Sequence, residues 1–283
     1  MRGRRTIEMT VDVDDRKTAE QLVSEEMTQY FATVDGQPGT YVLGDQRAYS
    51  VRAPHVDRNR IFGVHLAADT ADEGIERLLE PFRRAVVPVT WYVDGCSAPR
   101  DLAARLAGHG LELRYSLTGM VKGLTDGHAG EDQAPVPETI VREAHSAGER
   151  REWMKVVLQG FGLSEFRDME GVLTETGVTS GRWHRLVALQ NGTPAGGVLL
   201  FTGDGVAGVH WLGVPNAFRS RGIGALLSRE AVKLAAEAGY EALALQANPE
   251  VVALYARMGF QKAGEIAVFD WRPGIGVVTV EPD

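Results

Sequence analysis

The stretch Val206-Ala207-Gly208-Val209-His210-Trp211-Leu212-Gly213-Val214-Pro215, continued by Asn216-Ala217-Phe218-Arg219-Ser220-Arg221-Gly222-Ile223-Gly224, decides how this chain is read. An apolar, strand-like run over 206–214 passes through an Arg/Gly turn into a helix-like run from Ala225 to Ala238. A strand that delivers glycines to a helix start aims several unpaired backbone N–H groups at one point, where the helix dipole adds partial positive charge. Gly222 and Gly224 carry no Cβ, so an anion can approach the main chain closely. Arg219 and Arg221 bring cationic side chains to the same turn. The pattern predicts an anion site of pyrophosphate size built on the backbone of Arg219, Ser220, Arg221, Gly222, Ile223, Gly224 and Ala225.

Downstream, Leu243 to Asn248 reads as a strand ending in Asn, and Pro249 to Met258 as a short helix bearing Tyr255. Gly259-Phe260 closes that helix, with Gly259 expected at positive φ as its C′ residue. The spacing Arg-x-x-Gly-x-Gly reached through Val214-Pro215, followed by Asn248, Tyr255 and Gly259-Phe260, resembles the acyl-CoA signature of the GNAT superfamily of N-acyltransferases. The resemblance covers roughly Glu138 to Trp271. It implies an acyltransferase that moves acetyl from acetyl-CoA to a primary amine of a small molecule. The backbone of Leu212, Gly213 and Val214 would hydrogen-bond the pantetheine arm as an added strand does, and the pyrophosphate would fall on the 219–225 turn. Backbone N–H near Leu212 would serve the thioester carbonyl. Tyr255 matches the family's tyrosine that protonates the CoA sulfur; a phenol of pKa about 10 donates readily to a developing thiolate. Asn248 would anchor the pantetheine or orient a neighbour, and reads equally as a cap for the next helix.

A general base is less visible. His210 lies two residues before Leu212, so strand alternation places both on one face, and its ordinary pKa of about 6.5 suits proton abstraction. A histidine beside Trp211 on an inner strand also reads as a buried, hydrogen-bonded one. Gly208 stands where some family members carry a base glutamate. Glu170, Glu175 and His184 fall on segments expected to rim the acceptor site, and Trp153, Phe161, Phe166 and Trp183 read as its lining or as core.

The upstream half repeats the order of elements. A helix over Asp15–Phe31, with Ala19, Leu22, Val23, Met27 and Tyr30 at near-helical spacing, precedes strands over Tyr41–Arg52 and Arg60–Ala67. A helix over Asp72–Arg84, a strand over Val87–Val93, a helix over Pro99–Ala107 with proline in its first turn and a strand over Leu111–Leu124 follow. Gly63-Val64-His65 echoes Gly208-Val209-His210, and Ala98-Pro99 through Gly110-Leu111 echoes Asn248-Pro249 through Gly259-Phe260. The upstream turn, Ala67-Ala68-Asp69-Thr70-Ala71-Asp72-Glu73-Gly74, holds acids and no arginine, so it would repel a pyrophosphate. Its short helix has no tyrosine. The expected fold is α/β with a mixed sheet: tandem GNAT-like domains, each a mostly antiparallel sheet flanked by helices. Residues 1–124 form a degenerate copy, 125–137 a linker rich in polar residues, glycine and proline, and 138–283 the acetyl-CoA-binding copy.

Composition narrows the partners. The 283 residues are 44% hydrophobic and 24% charged, as in a soluble globular protein, with no run near the ~18 apolar residues of a membrane span. A formal charge of −8 argues against nucleic acid. The single cysteine, Cys96, excludes an intrachain disulfide and fits a reducing cytoplasm. The seven histidines are scattered, so no metal is expected. The tail Gly274–Pro282 reads as an edge strand, within a monomer or across a homodimer. Two other readings keep both motifs: a non-catalytic acyl-CoA-binding or regulatory protein, and an enzyme acting on a longer or malonyl-type acyl thioester.

Overall fold

Helix α1 (Ala19–Asp35) begins with a reciprocal cap: Gln21 N–H donates to Thr18 Oγ1 at 3.2 Å, and Thr18 N–H donates to Gln21 Oε1 at 2.8 Å. The counterpart in the second half, α4 (Ala147–Gly160), begins the same way, with Ser146 and Glu149. These local signals sit in a computed structural model that describes residues 17–35, 41–44, 49–52, 59–124, 136–163, 170–176, 178 and 180–274. The residues 125–135 of the expected linker, Phe166, and the 275–282 part of the expected edge strand lie outside the described residues.

In the first half the chain continues through β1 (Tyr41–Gly44), β2 (Tyr49–Arg52), β3 (Arg60–Phe62), α2 (Ala71–Ala85), β4 (Val89–Val93), α3 (Leu102–Gly108) and β5 (Glu112–Gly123). The second half runs β6 (Thr139–Glu143), α4, α5 (Glu170–Glu175), β7 (Trp183–Gln190), β8 (Thr193–Thr202) and β9 (Ala207–Gly213). It ends with a 3-10 turn (Asn216–Phe218), α6 (Ile223–Glu237), β10 (Ala242–Ala247), α7 (Pro249–Arg257) and β11 (Gln261–Trp271). The β7–β8 hairpin turns on Asn191 and Gly192, both at positive φ, which the right-handed strand twist favours. Gly259, at φ 84°, ends α7: its N–H bonds Ala256 O and the Phe260 N–H bonds Tyr255 O, a Schellman closure.

Several boundaries move from those expected. Helix α1 runs on to Asp35, past Phe31, and the expected Tyr41–Arg52 strand is two antiparallel strands, β1 and β2. Strand β3 stops at Phe62 because Gly63 turns at φ 60°. Helix α3 starts at Leu102, so Pro99 precedes it rather than sitting in its first turn. Helix α6 starts at Ile223, two residues before the expected Ala225, because Gly222 already serves as its N-cap.

The described strands join in one 11-stranded sheet, ordered β1-β2-β3-β4-β11-β5-β10-β9-β8-β7-β6. Apart from β6 at one end, the order is symmetric about the β11/β5 pair, so β4 and β10, β3 and β9, β2 and β8, and β1 and β7 are counterparts. Parallel pairing occurs at β3–β4 and β9–β10; the other pairs are antiparallel. The halves are therefore tandem copies, but their sheets are not separate. Strand β5 lies against β10 of the second half, β11 lies against β4 of the first, and the two long strands pair with each other at the centre. On one face, α6 and α7 cover a core containing Leu200, Val209, Leu227, Leu243 and Tyr255. On the other, α4 and the end of α1 cover Trp153, Val157, Trp183 and Phe201, with Tyr30 of α1 buried among them.

Candidate active site

The site begins where two parallel strands part. Strands β9 and β10 pair at Ala207–Leu243, Gly208–Ala244 and Val209–Leu245, and no further. Beyond Val209, β9 stays with β8, whereas Gln246 and Ala247 of β10 stay with β5. A fork opens between the carboxyl ends of the strands, the place where open α/β sheets take ligands. The end of α4 packs main chain to main chain against the end of β9 and holds it aside. A Cβ on Gly160 would lie 2.4 Å from Val214 N, and one on Gly213 would lie 2.5 Å from Val157 O, so this approach needs glycine on both elements.

The Arg/Gly turn sits at the mouth of the fork. Ser220 and Gly222 both take positive φ, 61° and 82°. The first hydrogen bond of the helix start is Leu226 N–H to Gly222 O at 2.9 Å. Among the described residues, no acceptor takes the N–H groups of Ser220, Arg221, Gly222, Ile223, Gly224 or Ala225. A Cβ on Gly224 would meet nothing nearer than Val214 Cγ2 at 3.8 Å, so packing within the protein does not demand glycine there. The position is open on its outer side.

The two arginines bring their charge to this turn, as expected, and both also bond within the protein. The Arg219 guanidinium donates to Val214 O at 3.1 Å and Gly160 O at 2.8 Å, tying the end of α4 to the turn. Arg221 donates to Gln190 Oε1 at 3.0 Å and lies over the Phe218 ring. Arg219 thus spends Nε and Nη2, and Arg221 spends Nη1, on the protein itself, and their charge remains near the turn beside the open backbone N–H groups.

His210 and Leu212 do not share a face. Leu199 pairs with His210 and Gly197 with Gly213, so β9 carries one extra residue there, a β-bulge, with Trp211 at φ 52°. Leu212 and Val214 turn toward the α6 core, whereas His210 and Trp211 face α1 and α4. That conformation is costly for a bulky residue. It is held by Trp211 Nε1–H to Tyr30 Oη at 2.7 Å and by an edge contact with Phe161. The His210 ring stacks on Tyr30, with centroids 3.5 Å apart, and its Nε2 lies 2.6 Å from Oε1 of Glu26. Glu26 is fully buried, and its Oε2 accepts from Gln246 Nε2 at 2.8 Å. Sequence reasoning missed Glu26, although it falls inside the apolar stripe of Val23, Met27 and Tyr30, where an acid is out of place.

Tyr255 lies on the opposite face of the sheet from His210. It is buried in the same core as Ile223 and Ala247, with Leu212 and Val214 packed against that core. Its hydroxyl meets no hydrogen-bond partner among the described residues, and burial pushes the phenol up to about 12. Asn248 is exposed and stands at the N-cap of α7, yet its side chain makes no cap bond, so the capping reading does not hold. The remaining candidates are occupied. His184 Nδ1 contacts Glu143 at 3.0 Å, Glu175 pairs with Arg150, and Glu170 pairs with Arg151. Trp153 and Trp183 are core, and Phe161 is 44% exposed beside Trp211. Among the described residues, no group of three His, Cys, Asp or Glu side chains is arranged to hold a metal. No described helix is long and apolar enough to cross a membrane.

Residues 152–260 match the sequence model of the Acetyltransferase (GNAT) family. A GCN5-related N-acetyltransferase from Kribbella flavida has a similar structure, with TM-score 0.70 at 15% identity, covering 90% of this chain and 96% of that one. A GCN5-related N-acetyltransferase from Sphaerobacter thermophilus aligns with TM-score 0.59 at 19% identity, over 92% and 94% of the two chains. A tandem GNAT protein from the clavulanic acid biosynthesis pathway aligns with TM-score 0.58 at 16% identity, over 92% and 98%. No curated protein matches the sequence.

Proposed function

From the GNAT-family domain this chain carries, within a tandem GNAT fold, we propose that it is an acyl-CoA-dependent N-acyltransferase that moves acetyl from acetyl-CoA to a primary amine of a small molecule. The observation that carries the reading is the open β9/β10 fork, ending at six backbone N–H groups (Ser220 to Ala225) that no described residue accepts from. The pyrophosphate takes those N–H groups and the positive end of α6, as anions do at helix N-termini. The pantetheine arm runs along Leu212, Gly213 and Val214 into the fork, with Asn248 across from it. Residues 138–283 hold this site, and residues 1–124 form a copy that does not bind acyl-CoA.

In the reaction, a neutral amine attacks the thioester carbonyl and its electrons move onto the carbonyl oxygen. A backbone N–H near Leu212 stabilises that oxyanion. His210 takes the proton from the attacking nitrogen. Collapse then breaks the C–S bond, and Tyr255 gives its proton to the departing thiolate. A phenol raised to about 12 stays protonated at any working pH. The thiolate is born in the same buried surroundings, which raise its basicity in turn.

Calorimetric titration with acetyl-CoA tests the reading: it expects micromolar binding at one site per chain, abolished by Gly222→Glu, which places bulk and negative charge at the N-cap. Unchanged affinity in that variant removes the phosphate site. Tighter binding of a longer or malonyl-type acyl-CoA would reassign the donor, and binding without turnover on any amine would leave a binding protein.

A further inference from the structure

We infer that Glu26, on α1 of the first half, is a positioning residue for proton transfer at His210, so that the transferase site is completed across the two halves. The inference rests on the reading of His210 as the group that takes the amine's proton.

Glu26 is 0% exposed. A carboxylate that far from water needs partners for its charge, and stability alone is a weak reason to keep one, since apolar replacements of buried ion pairs are often neutral or better. Both of its oxygens are engaged, Oε1 with His210 Nε2 at 2.6 Å and Oε2 with the Gln246 amide at 2.8 Å. His210 and Gln246 are the first residues beyond the last β9–β10 pair, Val209–Leu245, so the carboxylate sits at the apex of the fork. Strand β9 makes room for it. A Cβ on Gly208 would lie 1.8 Å from Glu26 Oε1, which means the carboxyl group fills the space a side chain at 208 would take. A carboxylate delivered from α1 thus stands where the strand itself offers only glycine.

A carboxylate at Nε2 selects the tautomer with its proton on Nε2, leaving the Nδ1 lone pair to accept a proton. It also stabilises the imidazolium that forms, the part played by the third member of a nucleophile–base–acid triad. Tyr30, stacked on the ring and bonded through its hydroxyl oxygen to Trp211, keeps the imidazole from swinging away. Glu26 itself is too buried to meet substrate, so it acts through His210.

The test combines nitrogen NMR of the His210 ring with acetyl-CoA turnover on a panel of primary amines: an amino sugar, a polyamine and an amino acid ester. In the wild-type protein the neutral His210 ring should carry its proton on Nε2, with Nδ1 unprotonated. Glu26→Gln, which keeps shape and removes charge, should lower kcat about 10²-fold with acetyl-CoA KM unchanged. In a His210→Gln background the same substitution should add nothing, whereas a merely structural Glu26 would cost as much there as in wild type. Wild-type kcat in Glu26→Gln, or a His210 protonated on Nδ1 alone, overturns the inference. If His210→Gln turns over normally, the reading of His210 falls instead. If no amine is acetylated, the ring nitrogens still decide whether Glu26 sets the tautomer.

Discussion

In the second half, β9 and β10 part after Val209 and Leu245 and stay apart; in the first half, their counterparts β3 and β4 end their ladder at Ile61 and Trp91, but the chain beyond them rejoins. Leu66 N–H donates to Ala98 O at 2.9 Å, and Ala98 N–H donates to Val64 O at 2.8 Å. Ala98 precedes Pro99 as Asn248 precedes Pro249, so the backbone that lines the open fork in one copy stitches the other shut. The helix starts differ in the same sense. Counted from the first residue of each helix, Asp72 of α2 stands where α6 has Gly224. Hydrogen bonding to His109 is the main reason Asp72 ionises more readily than usual, and Arg105 assists. The first copy thus carries carboxylates in the first turn of its helix, and the second carries none there. Equal strand order does not make equal sites. The difference lies in whether the fork stays open and whether the helix start stays uncharged.

The largest effect is expected from closing what holds the second fork open. Gly160→Ala would put a methyl group 2.4 Å from Val214 N and 2.5 Å from Gly213 C, both backbone atoms that cannot swing aside. Overpacking of this kind costs about 3 kcal/mol. Acetyl-CoA affinity should fall at least about 10²-fold, together with the melting temperature. In the first copy, Gly74→Ala meets only the side chain of Leu66, which can rotate, and should leave affinity unchanged. Titrating both variants with acetyl-CoA tests the asymmetry; equal losses would break it.

A second expectation concerns Tyr255, which the first copy lacks. Tyr255→Phe should lower kcat about 10²-fold, close to 2.7 kcal/mol of transition-state stabilisation, and spare the acetyl-CoA dissociation constant. Its proton also links stability to pH. The folded-state phenol is raised to about 12 against an ordinary value of about 10, so its contribution is fully present below about pH 10 and is lost as pH rises through 12. Denaturation curves between pH 9 and pH 12 should therefore fall more steeply for wild type than for Tyr255→Phe. Parallel curves would mean the phenol is not buried in solution.

What the sequence disclosed and what it withheld divide along locality. The passage from a strand through the Arg/Gly turn into a helix was legible, and so was the close of α7 at Gly259, because glycines that open or end a helix are short-range devices. The bulge at Trp211 was not, because it depends on α4 approaching Gly213 and on Tyr30 holding the indole, contacts between distant segments. The engagement of Arg219 with Gly160 O was hidden for the same reason. The β5/β11 exchange leaves no trace in periodicity, since both strands look ordinary and only their neighbours differ. Glu26 lay between these cases. Its place in an apolar stripe was visible, but its partners belong to β9 and β10.

The smallest effect sharpens the comparison between α1 and α4, the one pair of counterparts that begin alike. Losing an N-cap of this type costs about 1 kcal/mol, so Thr18→Ala and Ser146→Ala should lower stability similarly at neutral pH. They should part in acid. The α1 box closes with Gln21, which does not titrate, whereas the α4 box closes with Glu149, whose carboxylate accepts from the backbone and hydroxyl of Ser146 and the backbone of His145 and is held down to about 2. A depressed carboxylate contributes stability that is present above its ordinary value of 4.5 and is lost as pH falls toward 2. Between pH 5 and pH 2.5 the penalty for Ser146→Ala should therefore shrink, because the wild-type box is itself coming apart, while that for Thr18→Ala holds steady. Urea unfolding of the two variants across that range reads the difference. Penalties that change together would show that the α4 cap does not depend on the Glu149 charge, and that the two helix starts are equivalent in chemistry as well as in geometry.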